Sequence, residues 1–130
     1  MGLGAVGAIH GRGSAAVDYD NDGDIDVAIN AVAGRLILLE NRGVSGNWLE
    51  LDLGRSLPGA VVTVTLPDGR RLVRHVLAGS SYLSSEDPRV HFGLADATTV
   101  PEIVVTWAGG EQTRLTNVEA NQLLSVRPPG

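Results

Sequence analysis

Short runs in which apolar and polar residues alternate recur along the chain, and turn residues separate them. In residues 60–66, for example, Val62, Val64 and Leu66 fall on one side of an extended chain. Val61 and the threonines at 63 and 65 fall on the other side, and this period of two predicts a half-buried β-strand. Similar strand-like runs cover residues 14–19, 26–32, 35–40, 48–53, 60–66, 71–77, 82–84, 90–94, 102–107, 112–115 and 123–127.

The segments between these runs contain the residues that tight turns require. Pro67, Asp68 and Gly69 form a hairpin signal, because glycine supplies the positive φ that the turn needs. Residues 33–34, 58–59 and 109–110 contain similar pairs. No stretch shows the periodicity of an amphipathic helix. We therefore predict an all-β protein, either an antiparallel β-sandwich or part of a propeller.

The composition fits one globular domain and excludes several classes of protein. A chain of 130 residues, 43% of them hydrophobic, can bury a core without disulfide bonds, and it contains no cysteine. The net charge is −5 and all ten basic residues are arginines, with no basic stripe for a phosphate backbone. We expect no nucleic acid partner. No apolar stretch approaches the ~20 residues of a membrane span, and residues 1–13 do not resemble an intact signal peptide.

The first residues are unusually rich in glycine and alanine. Glycines at positions 2, 4, 7, 11 and 13 make residues 1–13 a candidate flexible arm, since such a stretch gains little by folding alone. Residues 2–9 alternate small and apolar side chains, so the arm could add as a strand to the sheet edge of a neighbouring subunit. Head-to-tail addition of this kind does not close on itself and would produce a fibre.

The strongest chemical signal is an acidic loop at residues 18–26. Five carboxylates in nine residues repel one another, and a hard divalent cation would turn this repulsion into coordination. The carboxylates belong to Asp18, Asp20, Asp22, Asp24 and Asp26.

The spacing of these residues matches a calcium loop. Side-chain ligands at loop positions one, three and five are Asp18, Asp20 and Asp22; a glycine and then the carbonyl of Asp24 follow. Position twelve, where an EF-hand has glutamate, is isoleucine. We therefore predict that Asp26 closes the site, as a carboxylate that can bind the ion through one or both oxygens. The Asp24 side chain is expected to face solvent or an outer shell. A magnesium site and a solvated acidic turn are the alternatives.

With its β-strand flanks, this loop resembles the calcium hairpin of FG-GAP and VCBS repeats. Motifs further along the chain resemble the ASPIC/UnbV domain, in that family's order. They are Asn47-Trp48-Leu49, residues 79–84, Asp87, Arg89, residues 91–94, residues 103–107 with Gly110 and Gln112, Asn117-Val118 and residues 120–123. The resemblance divides the chain into an arm (1–13), a calcium hairpin (14–46) and an ASPIC/UnbV-like β domain (47–130), the last two forming one compact unit.

Other residue clusters are explained as well by structure as by chemistry. His10, His75 and His91, the serines at 80, 81, 84 and 85, and Asp87 invite a hydrolase hypothesis, but no nucleophile elbow accompanies them. We predict no enzymatic activity. Trp48 and Trp107 are expected in the core, and the arginines at 70, 71 and 74 on a solvated strand face.

The resemblance implies a secreted or cell-surface module that is stabilised by Ca²⁺ and acts in binding or adhesion without catalysis. The alternative is a structural subunit that assembles through its N-terminal arm into a calcium-stabilised extracellular fibre. Protein partners or further copies of the chain are expected in either case.

Overall fold

Ten β-strands and no helix make up the described part of the chain, which confirms the all-β prediction. The structure is a computed structural model that describes residues 7–43, 46–54, 58–77 and 88–130. The strands are β1 Gly11–Val17, β2 Asp26–Ala31, β3 Leu36–Leu39, β4 Asn47–Asp52, β5 Val61–Thr65, β6 Arg71–His75, β7 Val90–Ala95, β8 Thr99–Thr106, β9 Gln112–Glu119 and β10 Gln122–Ser125. The predicted strand at 82–84 lies outside the described residues.

The described residues belong to two compact units. Residues 7–43 form unit 1, and residues 46–54, 58–77 and 88–130 form unit 2. That the calcium hairpin and the β domain pack as one body stays a prediction.

Unit 1 is a three-stranded antiparallel sheet in the order β1-β2-β3. Val17 pairs with Asp26, so the acidic loop is the connection of the first hairpin. The second hairpin turns at Ala33 and Gly34, which have φ values of 76° and 77°. Residues 11–13, assigned above to the flexible arm, pair with β2, and the N–H of Val32 donates to the carbonyl of His10 at 2.8 Å. Residues 1–6 of the arm lie outside the described residues.

Unit 2 is a sandwich of two sheets, with strand orders β10-β4-β7 and β6-β5-β8-β9. Alternate residues of the strands point into one core, as the period-two pattern predicts. The buried members of the core are Leu49, Leu51, Leu53, Ala60, Val62, Val64, Leu66, Val76, Val90, Phe92, Leu94, Val100, Ile103, Val105, Trp107 and Val126. Arg74 closes one side of the core, with its guanidinium 5.6 Å from the centre of the Phe92 ring.

One strand pair departs from the antiparallel prediction, because β10 runs parallel to β4. Asn121 holds the start of this pairing. Its N–H donates to the carbonyl of Trp48 at 2.6 Å, and its side chain accepts from the N–H of Trp48 and donates to Asn47. Asn121 has a φ of 60°, a left-handed conformation that asparagine tolerates better than most residues.

The start of β4 packs closely against the end of β7. Asn47 pairs with Ala95, and a Cβ placed on Gly46 would lie 2.5 Å from the carbonyl oxygen of Ala95. Since real Cβ atoms do not approach backbone oxygens so closely, only glycine fits at position 46 without a backbone shift.

Candidate metal site

The acidic loop between β1 and β2 folds around the carboxylate of Asp18. This residue is fully buried; its two oxygens accept the N–H groups of Asp22 at 3.1 Å and Gly23 at 2.9 Å. Asn21 and Gly23 have positive φ values of 60° and 95°, which asparagine and glycine tolerate best. Asp22 repeats the pattern on a smaller scale by accepting the N–H of Asp24 at 2.9 Å. The loop is therefore held in a tight ring by its own aspartates.

Three of the predicted ligands meet in this ring. Carboxylate oxygens of Asp18, Asp20 and Asp22 all lie within 4.8 Å of one another. Asp20 and Asp22 are exposed, and neither forms an ion pair with another described residue. Partial desolvation raises the pKa of the Asp20 carboxyl, and repulsion from Asp22 and Asp26 raises it further. The cluster thus concentrates negative charge at a point where all the donor atoms are oxygens.

Tyr19, next to Asp18, also lies among negative charges. Negative charge on Glu40 is the main cause of a raised pKa of Tyr19; partial desolvation and repulsion from Asp20 and Asp26 add to the effect. Tyr19 is exposed and directly follows Asp18.

Asp26, like Asp18, is buried and accepts two backbone N–H groups. It is 1% exposed; its oxygens accept the N–H groups of Tyr19 at 3.2 Å and Asn41 at 2.7 Å. These bonds join the start of the loop to the segment that follows β3. Asp24 is buried, which excludes the solvent-facing alternative for this residue. Closure of a metal site by Asp26 and by the Asp24 carbonyl stays a prediction.

The donor set fits a hard divalent cation. Ca²⁺ takes six to eight oxygen ligands from carboxylates, carbonyls and water in flexible geometry. Asp18, Asp20 and Asp22 would hold such an ion, which would supply charge compensation within the loop. The buried, hydrogen-bonded Asp18 fixes one ligand, and the exposed Asp20 and Asp22 leave room for water.

The residues of the hydrolase hypothesis do not form a described catalytic group. His91 lies in β7 and is half-buried; its ring stacks on that of Trp48 at 6.4 Å between centroids. His75 ends β6, and His10 precedes β1. The serines at 80, 81, 84 and 85 and Asp87 lie outside the described residues. Trp107 is buried in the core as predicted, whereas Trp48 is only half-buried.

A buried ion pair in unit 2 was not predicted. Glu50 is 2% exposed although it points away from the core side of β4, and the Arg89 guanidinium lies 3.2 Å from its carboxylate. In the sequence, Glu50 resembles an ordinary solvated position between Leu49 and Leu51. Arg89 directly precedes β7, thirty-nine positions after Glu50, and the sequence does not show that the two side chains pair.

The sandwich of unit 2 corresponds to a known protein family. The family model described as "ASPIC and UnbV" matches residues 53–130, which is more than half of the chain. The chain belongs to the ASPIC/UnbV family. The motifs quoted above from residue 79 onward lie within the matched segment, and Asn47-Trp48-Leu49 lies outside it. The FG-GAP/VCBS resemblance of the hairpin stays a prediction.

Two curated relatives contain a similar segment. Cartilage acidic protein 1 of Mus musculus is 32% identical over an alignment of 130 residues, and the match covers 92% of this ASPIC/UnbV chain and 20% of the relative. Cartilage acidic protein 1 of Homo sapiens is 31% identical over 130 residues, with coverage of 92% and 19%. The chain therefore spans about a fifth of the length of these relatives.

No helix within the described residues is long and apolar enough to cross a membrane.

Proposed function

We propose that the chain is an extracellular, non-catalytic binding module whose acidic hairpin is stabilised by Ca²⁺. The observation that supports the proposal best is the meeting of the Asp18, Asp20 and Asp22 carboxylates within 4.8 Å. Membership of the ASPIC/UnbV family and the likeness to cartilage acidic protein 1 support an extracellular module without catalysis.

Calcium suits this loop better than magnesium. Mg²⁺ demands near-ideal octahedral geometry at about 2.0–2.1 Å and retains most of its water, so it seldom uses several carboxylates from one loop. Three carboxylates from one loop, two of them exposed to water, match the larger ion. Extracellular calcium modules bind with dissociation constants of roughly 10⁻⁴–10⁻³ M, and an exposed loop belongs at this weaker end.

Calorimetric titration of calcium into the protein tests the proposal. We expect one site in the wild type and at least about tenfold weaker binding in Asp20→Asn and Asp22→Asn, since a neutral amide replaces a charged ligand. Glu111→Gln is the matched control, because it removes an exposed carboxylate from the turn after β8. Equal affinity in all four proteins, or a stronger response to Mg²⁺ than to Ca²⁺, would contradict the proposal.

Self-association is a second candidate function, supported by apolar residues on an edge strand. Leu36 is 74% exposed and Leu38 is 44% exposed; both lie on one face of β3, at the edge of the unit 1 sheet. Sedimentation at rising concentration with calcium should then show growing assemblies that Leu36→Thr/Leu38→Thr suppresses. Deletion of residues 1–9 tests the arm separately from the β3 edge. Assembly that is lost on this deletion but not in the leucine variant supports the arm-mediated fibre. A wild-type protein that stays monomeric contradicts assembly through either the edge or the arm.

A further inference from the structure

A groove lies at one end of the unit 2 sandwich. It encloses about 420 Å³ between the turn that joins β5 to β6 and the turn that joins β7 to β8. Leu66 and Leu94, both buried, contribute apolar lining, and Ala97 adds to it. A volume of this size falls within the range of small-ligand sites, and the groove is open enough to receive a single large side chain.

Backbone hydrogen bonds fix both turns. The N–H of Leu66 donates to the carbonyl of Arg70 at 2.8 Å, and the N–H of Gly69 donates to Leu66 at 2.9 Å. Across the groove, the N–H of Ala97 donates to Leu94 at 3.0 Å. The groove is therefore preformed, and binding of a partner would require little ordering of these two turns.

The charges of the groove are unequal. Asp68 and Arg70 neutralise each other. The backbone N–H of Arg70 donates to the Asp68 carboxylate at 3.0 Å and the Arg70 Nε donates to it at 2.6 Å, and these two bonds lower the pKa of Asp68. Asp96 is exposed and forms no hydrogen bond or ion pair with the described residues. One uncompensated carboxylate therefore lies beside an apolar surface.

We propose that this groove binds a lysine or arginine side chain presented by a partner protein. Such side chains combine an apolar stem with a cationic tip, so the stem would lie on Pro67 and Ala97 while the tip pairs with Asp96. The net charge of −5 would also favour the approach of a basic partner. This inference rests on the proposed role as a binding module and gives that role a site and a partner chemistry.

Amide chemical shifts of the intact chain, titrated with N-acetyl-arginine amide, test the inference. We expect saturable shifts confined to residues 66–70 and 94–99. N-acetyl-citrulline amide has nearly the same shape without the charge, and it should bind at least about fivefold more weakly. Asp96→Asn should weaken arginine binding by a similar factor. Glu111→Gln should not, because position 111 lies beyond the other end of β8, roughly 23 Å away at 3.3 Å per residue.

A second variant tests the groove itself without changing Asp96. Ala97→Leu fills the groove and should abolish the shifts while Asp96 stays in place. Equal binding of the arginine and citrulline probes, equal binding by Asp96→Asn, or shifts scattered over all surface carboxylates would each overturn the inference. All groove residues belong to unit 2, and the titration is repeated in EDTA. A failure of the calcium proposal is therefore visible separately.

Discussion

Chelation of calcium is expected to lower the free energy of unfolding by about 2.7 kcal/mol, relative to a solution in which free calcium is a hundredfold above its dissociation constant. A ligand that binds only the folded state stabilises that state by mass action, and the ring of Asp18, Asp20 and Asp22 exists only in the folded hairpin. Thermal melts with calcium and with EDTA measure the difference. A wild-type melt that EDTA does not change would contradict calcium stabilisation.

Two aspartate variants separate the metal from the fold. Asp18 accepts two backbone N–H bonds, so Asp18→Ala should lower the melting temperature in EDTA as well as in calcium. Asp20→Asn retains the shape of the side chain and relieves repulsion from Asp22. It should melt in EDTA no earlier than the wild type and gain little from calcium. If both variants behave alike in EDTA, the assigned roles are wrong.

Arg89→Ala is expected to destabilise the protein by about 3 kcal/mol or more. The Glu50 side chain is 3% exposed, and removal of the guanidinium 3.2 Å away leaves a buried carboxylate with one charge partner fewer. Denaturant unfolding at neutral pH measures the loss. Arg114→Ala is the matched control, because the Arg114–Glu102 pair is exposed on a strand surface and should contribute under about 1 kcal/mol.

Neutralising the acid should restore part of this loss. In the Arg89→Ala background, Glu50→Gln removes the buried negative charge, so the double variant should be more stable than Arg89→Ala alone. An Arg89→Ala variant that loses no more stability than Arg114→Ala would show that Glu50 does not depend on this partner.

Local alternation was enough to predict most strands. Val62, Val64 and Leu66 are buried, and the intervening residues of β5 are half-buried, because a half-buried strand must alternate between core and surface. The acidic spacing likewise brought Asp18, Asp20 and Asp22 together, since a tight turn with positive φ values leaves their carboxylates on one side.

Features that depend on distant partners could not be predicted in this way. β8 begins at Thr99 rather than at residue 102, although Pro101 lacks an N–H group. The proline is tolerated because β5 pairs only with residues 102–106 of that strand. The parallel direction of β10 depends on Asn121, which bonds to residues more than seventy positions away.

The same limit applies to the candidate site. The place of Asp26 in the loop predicts a ligand, and the structure adds that one of its oxygens accepts the N–H of Asn41, fifteen positions later. Nothing local to the loop indicates that bond. Glu50 is the corresponding case in unit 2, since this buried carboxylate accepts a hydrogen bond from Arg89, thirty-nine positions away.

A crystal structure of the calcium-soaked protein, with anomalous data collected to locate calcium, tests the central claim most directly. The account predicts one ion bound to carboxylate oxygens of Asp18, Asp20 and Asp22 at about 2.3–2.6 Å, with the Asp26 carboxylate, the Asp24 carbonyl and water completing the shell. An Asp20→Asn crystal grown and soaked in the same way should have a weaker peak or none. A wild-type loop that retains its ring but holds only water in saturating calcium would contradict the account.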